Sequence, residues 1–329
     1  MNIDIHSHVI PKRIVDAMAA DPRRFRARVE SAGTARKVVH DQGYVYSLSP
    51  EFHMAEAKLE SMDRKGIDRS VISPAPPMFY YWADADLALE AARLVNDGVA
   101  DMAAESPGRL RGMATVPMQH PDAAVAELER VVREYGFKAV EIGTSIEGAQ
   151  LAEQRFRPLL RRAAELGAFV FAHPYYVGSK AGLEDYYLTN LIGNPLDTTV
   201  MLSHLMFSGA LDELPELKLV IAHGGGFAPY QIGRLVHGHK IRSETNAKSK
   251  SSPEDLLKRI YFDSLVFDPK ALRYLIDLVG ADHICIGTDS PFDMADTDPR
   301  GTIANVPGIT PRETACMCCG TALKLLREG

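Results

Sequence analysis

The chain has 329 residues, 46% of them hydrophobic, and a formal net charge of −6. That length suits one large α/β domain or two ordinary ones. The acidic balance gives no electrostatic reason to expect nucleic acid or an anionic membrane as a partner, and no apolar run approaches membrane-spanning length.

The chain opens with an apolar β-type run over 2–6 that leads into His6 and His8. Residues two apart on a strand share a face, so both imidazoles are expected to point into one space. Residues 10–52 do not fit a strand–helix unit. They are polar, basic around 23–28, and carry Tyr44 and Tyr46. A small insertion after the first strand, acting as a lid or flap, is expected there. A helix rich in Glu, Lys and Leu over 53–65 precedes a second strand at 70–73. Further strands at 111–116, 138–143, 168–173, 218–223, 259–264 and 283–289 alternate with helices at 86–105, 121–135, 155–166, 188–208, 227–242, 269–279 and 311–326. Two loops stand out, 174–185 with Tyr175 and Tyr176, and the polar 243–253, which is expected to be mobile.

Strands that alternate with long helices imply parallel pairing through right-handed crossovers. Eight such units at this length predict an α/β (β/α)8 TIM barrel spanning 1–329 as one domain. An open doubly wound sheet is the alternative, but GxGxxG is absent after the first strand. The cysteines are Cys285, Cys316, Cys318 and Cys319. They make a poor disulfide framework, and the start of the chain lacks signal-peptide features, so a reduced, cytoplasmic protein is expected. The cluster at 316–319 falls in a predicted helix without a second CxxC, and reads as helix packing.

The polar residues at strand ends carry the chemistry. The first strand ends in His6 and His8, the fifth in His173, the sixth in His223 and the eighth in Asp289. In a (β/α)8 barrel all C-terminal strand ends open onto one face, so these residues converge. Imidazole nitrogens with a carboxylate suit Zn2+, and also Mn2+ or Fe2+. Three histidines and one aspartate, with a position left for water, describe a catalytic site. Elsewhere, His204 reads as a core histidine, and His237 and His239 as surface or interface residues. His40, His53, His120 and His283 have no strand-end context. The glycines at 224–226 lack the Lys-Ser/Thr of a P-loop, and read as room for substrate beside His223.

These residues, with LESMDRKGID before the second strand, APPMF at 75–79, His173-Pro174, NPLDTT at 194–199, AHGGG at 222–226 and GTDSPF at 287–292, carry a family resemblance. Over nearly its whole length the chain resembles the amidohydrolase superfamily, in its branch of metal-dependent decarboxylases typified by the aminocarboxymuconate-semialdehyde decarboxylases. The resemblance implies that His6, His8, His173 and Asp289 hold one divalent metal, zinc first and manganese as the alternative. It makes His223 the acid/base, with Asp289 beside it as a second proton-carrying candidate. Arg234 is implied to bind the substrate carboxylate from the neighbouring subunit, hence a homodimer. Phe292, Phe79 and Tyr175 are implied pocket residues. The fourth strand, around Glu141, shows no lysine to bridge a second metal. One departure concerns the arginine that grips a dicarboxylate in that family. No Arg lies between Arg36 and Arg64, and Tyr46 or a neighbour stands in its place.

The expected activity is non-oxidative decarboxylation of a small aromatic or muconate-type acid. A phenolic or benzoate-type acid fits a pocket of Tyr80, Tyr81, Trp82, Tyr175 and Tyr176. A hydrolase or hydratase using the same site is the runner-up, and a metal-storage or sensing barrel is the non-enzymatic alternative.

Overall fold

In the computed structural model, which describes residues 1–32, 35–175, 178 and 180–328, the chain begins with β1 (Ile3–Val9). The segment 10–52 follows. It contains a helix at Lys12–Ala20, a short helix at Pro22–Phe25, and an antiparallel sheet of β2 (Ala27–Ala32), β3 (Ala35–His40) and β4 (Val45–Ser47). Next come β5 (Arg69–Pro74), β6 (Leu110–Gly112), β7 (Ala139–Gly143) and a small antiparallel pair, β8 (Ser145–Ile146) and β9 (Ala149–Gln150). The last strands are β10 (Phe169–His173), β11 (Leu219–Ile221), β12 (Tyr261–Asp263) and β13 (Ile284–Cys285).

Two parallel sheets, ordered β1-β5-β6 and β13-β12-β11-β10-β7, are joined at both seams. Asp4 bridges Ile286 and Ser7 bridges Ser290 at one seam, and Ala114 bridges Val140 at the other. Eight parallel strands thus close into the expected barrel. The helices between them follow ordinary start and stop chemistry. Asp84 caps Ala85–Glu105 by accepting from the Leu87 amide at 3.0 Å. Pro121–Tyr135 starts on proline and ends at Gly136 in the left-handed conformation.

The barrel interior is a distinct apolar cluster that includes Ile3, Ile5, Phe169, Phe171 and Val220. Leu325 and Leu326 of the last helix, Thr321–Leu326, join it near the strand starts and close that end. Outside the barrel, Glu328 pairs with Arg69, the first residue of β5, and with Arg111 in β6.

The regular alternation expected of β1 does not hold. Ile3 and Ile5 face inward, so strict alternation would turn His6 and His8 outward. Between Asp4 and Ser7 the register against β5 slips by one residue. This β-bulge reverses the faces, and the His6 ring meets the interior Phe171 ring at 4.9 Å. Asp4 holds the bulge in place. It accepts from the His6 amide at 3.0 Å and from the Thr288 hydroxyl at 2.7 Å.

Two further sequence expectations are corrected, one of them in part. His204 is exposed on its helix and is not a core residue. The tract 243–253 contains a helical turn, Ser243–Asn246, and its end is anchored by Asp212, which accepts from the Lys250 amide at 2.8 Å and the Ser251 hydroxyl at 2.5 Å. The expectation that the glycines at 224–226 leave room for substrate is corrected in part, since Gly226 lines the cavity beside His223 while Gly224 and Gly225 face packed side chains. All three have positive φ, and a Cβ on each would meet Val266, Phe262 or the Pro195 carbonyl within 2.3–2.7 Å. Cys316 and Cys318 pack against the core, as expected, and the cysteines are free thiols. Among the described residues no helix is long and apolar enough to cross a membrane.

Candidate metal centre

Four ligand atoms, from His6, His8, His173 and Asp289, lie within 4.8 Å of one another, and all four residues are buried. The barrel puts them there from β1, from the last residue of β10 and from the turn after β13. Each histidine is oriented through its outer nitrogen. His6 Nδ1 donates to Asp263 Oδ2 at 2.6 Å, His8 Nδ1 to the Pro74 carbonyl at 3.2 Å, and His173 Nδ1 to the Pro174 carbonyl at 2.8 Å. These bonds fix the tautomer that turns each Nε2 lone pair inward.

The inward atoms fit a shared cation better than one another. His6 Nε2 and His8 Nε2 are 3.0 Å apart, and Asp289 Oδ1 is 3.0 Å from His8 Nε2 and 3.2 Å from His6 Nε2. Yet Asp289 Oδ1 and His173 Nε2 are buried without a hydrogen-bond partner among the described residues. They point at a common centre, and edges of this length are those of ligands about 2.0–2.2 Å from one metal ion. Three imidazoles and a carboxylate are a donor set for a divalent ion of borderline character.

The electrostatics agree. Burial pulls His8 down to about 4 and His173 well below the usual histidine range, so both stand neutral. Burial opposes charge on His6 as well, but Asp289 and Asp263 overcome it and raise that imidazole to about 10. Burial would likewise favour a neutral Asp289, but His6 and the other imidazoles hold it ionised, well below the usual carboxylate range. His8, His173 and Asp289 thus stand in the protonation states a metal ligand needs, whereas His6 carries a proton that a bound cation would displace.

His223 stands beside this group without joining it. Its Nε2 is 3.4 Å from Asp289 Oδ2, its ring centroid is 4.9 Å from that of His173, and its Nδ1 is buried with no partner. His223 and Asp289 both have positive φ, +56° and +58°, as strained residues at functional sites often do. Together they form the polar end of a cavity of about 340 Å3. Leu191, Phe227, Val266, Phe267 and Met294 give it apolar walls, and Asn190 and Asn194 add the remaining polar groups.

Of the expected pocket residues, Phe292 lies nearest the ligands, with its ring 5.2 Å from that of His8. Phe79 is buried in a stack on Tyr81, and Tyr175 packs between Phe79 and Tyr44. Arg234 is exposed on the helix Ala228–Ile241. None of these four lines the cavity that holds His223 and Asp289. The expected tyrosine-rich pocket is corrected in part. Tyr80 and Tyr81 are buried, and their hydroxyls serve the backbone, donating to the Phe25 carbonyl and accepting from the Gly143 amide. Tyr176 lies outside the described residues.

Three functional neighbours were not singled out in the sequence. Asp263 ends β12 and binds His6. Lys58 is fully buried and donates to the Ser7 hydroxyl and the His8 carbonyl, both at 3.0 Å, and to Glu51 at 3.3 Å. Glu141, in β7, has an oxygen 3.8 Å from His8 Nδ1, and burial raises its carboxyl to about 8.

A parallel barrel whose mouth gathers three histidines and an aspartate, with a fourth histidine alongside, defines a metal-dependent enzyme of the hydrolase-type barrel class. A family model described as Amidohydrolase matches residues 3–327, and the chain belongs to that family. A 2-amino-3-carboxymuconate-6-semialdehyde decarboxylase from Dictyostelium discoideum is 29% identical over 328 residues, which cover 99% of this chain and 91% of that one. A gamma-resorcylate decarboxylase from a Polaromonas species is 30% identical over 82% of this chain and 85% of its own. The crystal structure of a dihydroxybenzoic acid decarboxylase from Polaromonas, with bound manganese and 2-nitroresorcinol, shares the fold at a TM-score of 0.80. It is 23% identical, over 99% of this chain and 96% of that one.

Proposed function

We propose that this protein is a carboxy-lyase, a metal-dependent non-oxidative decarboxylase of a small carboxylated aromatic acid, with a muconate-type acid as the alternative substrate. The observation that carries this reading is His223, a histidine outside the ligand set whose side chain reaches both the Asp289 carboxylate and the cavity. The named activities of similar proteins support it.

His6, His8, His173 and Asp289 would hold one divalent cation, Zn2+ by the donor set and Mn2+ as the alternative, which supplies Lewis-acid polarisation of a substrate oxygen. His223 delivers a proton to the ring carbon that bears the carboxylate, making that carbon tetrahedral. The C–C bond then breaks, its electron pair returns to the ring, and CO2 leaves with the proton retained on carbon. His223 Nε2 lies 3.4 Å from Asp289 Oδ2, so His223 is taken as the proton carrier and Asp289 Oδ2 as its electrostatic partner. The apolar walls exclude water and seat the ring. The hairpin of β3 and β4 acts as a flap, since Tyr44 packs 5.1 Å from Tyr175, two residues beyond His173.

Among the described residues the cavity lining includes no lysine or arginine. We infer that a second copy of the chain supplies the missing cation as Arg234. Phe227, Tyr230 and Arg234 share one face of their helix by spacing. Tyr230 is 79% exposed, and Leu191, Leu196 and Val200 are exposed on the neighbouring segment, which Phe227 contacts through its amide and the Thr199 hydroxyl at 2.8 Å. Sedimentation should show a dimer, and Arg234→Ala should raise KM at least ~10-fold. A monomer with full activity would sink this part. The free cysteines accord with a reducing, cytoplasmic setting, which fractionation of the native host would check.

The deciding experiment is product analysis on a panel of hydroxybenzoates and muconate analogues with the metal-loaded protein. Stoichiometric CO2 release is expected. Incorporation of water without CO2 would replace this reading with a hydratase or hydrolase.

A further inference from the structure

The geometry points to Asp263 as the positioning residue that couples the metal centre to the proton carrier; only its kinetic arm rests on the decarboxylase reading. Its carboxylate is completely buried. Oδ2 accepts from His6 Nδ1 at 2.6 Å and from the His223 backbone amide at 2.9 Å. Oδ1 accepts from the Gly224 amide at 2.7 Å and from the Leu265 amide at 3.2 Å. A carboxylate offers about four acceptor sites. Four donors therefore saturate it, and it has no capacity left for metal or substrate. Its task is to hold other groups.

The two groups it holds have different functions. Through Oδ2 it fixes the tautomer and ring plane of a metal ligand. Through both oxygens it fixes two consecutive amides in the left-handed conformation, at +56° for His223 and +58° for Gly224. A non-glycine residue does not keep such a φ unless its surroundings impose it. That backbone turn swings the His223 side chain toward Asp289 and away from the continuation of β11. The carboxylate is itself wedged in place. A Cβ at Gly287 would stand 2.6 Å from the Asp263 Cβ and 3.0 Å from the His6 Cβ, so the glycine just beyond β13 is what lets these two side chains meet. Asp263 cannot swing away from His6 without releasing His223. Ligand orientation and acid/base placement therefore depend on one side chain.

The test is Asp263→Asn, which preserves shape but removes the charge and half of the acceptor capacity. Three readouts are taken, two of them free of substrate. Titration of Zn2+ into the metal-free variant should show affinity weakened about 10–100-fold. Hydrogen exchange at the His223 and Gly224 amides of the zinc-loaded variant should accelerate, while exchange in β5 and β7 stays at the parental rate. At saturating Zn2+, kcat should fall about 100-fold with KM within about threefold, as expected when a reacting group is misplaced. A variant that loses zinc affinity but keeps parental exchange at residues 223–224 overturns the coupling. So does one that melts at a lower temperature with zinc affinity and kcat unchanged, which would make Asp263 a packing residue. If the Asn variant does not fold, Asp263→Glu keeps the charge but displaces it by one methylene, and the same three-way result is expected. Should the parent release no CO2 from any acid tested, the zinc and exchange results still decide the role of Asp263.

Discussion

The two ends of the barrel are built on opposite principles. At the end where the strands start, Leu325 and Leu326 fill the lumen beside Ile3 and Ala139 in an apolar cluster. At the other end the lumen holds four imidazoles with centroids about 5 Å apart and two aspartates, and a buried lysine on the flanking helix grips the His8 carbonyl. One end lowers the free energy of the folded chain by removing apolar surface from water. The other leaves two ligand atoms without protein partners, a cost that a bound cation offsets. The same eight strands thus separate stability from chemistry along their length.

Substitutions should respect that division. The largest effect is expected from His223→Asn at the polar mouth. Turnover should fall about 10^2–10^4-fold while metal analysis still finds near one ion per chain. Retained turnover would break the assignment of His223, and loss of metal would make it a ligand. At the apolar end, Leu325→Ala should cost about 2–5 kcal/mol in denaturant unfolding, with kcat per folded chain unchanged. A drop in kcat would mean that the two ends communicate. The smallest effect belongs to neither end. Arg273 holds Glu313 down to about 2, helped by the capping box with Thr310. A folded-state carboxyl below its ordinary value stabilises above pH ~4.5, and that contribution disappears as pH falls toward 2. Glu313→Gln should therefore lower Tm by only about 1–2 °C near neutrality. The difference from the parent should vanish near pH 2, and a constant offset would show that the ion pair is not its source.

The sequence made the polar end partly legible because its groups terminate apolar runs. His173 follows FVFA, and His223 follows LVIA. Asp263 carries the same signal, a polar residue after the apolar run IYF, but an aspartate at a strand end is a common cap and its partner lies 257 residues away. Lys58 sends no such signal. Within AEAKLESMDRK it looks like one more charge on a helix face, and only the packing against β1 buries it. The segment 10–52 gave no period for its antiparallel sheet because β4 is three residues long and alternates between exposed and half-buried positions. His204 misled for the opposite reason, since VMLSHLMF is apolar on several sides while the histidine lies on the one face turned to water.

The one-residue slip in β1 has a consequence for anyone who would move this centre elsewhere. Copying Ile-Asp-Ile-His-Ser-His onto a regular strand of another barrel would carry the right letters and the wrong phase. With isoleucines inward, both imidazoles would emerge among the outer helices. The portable unit is larger than the motif. It includes Asp4, the Thr288 hydroxyl that it accepts from, and the partner strand that tolerates three steps against two.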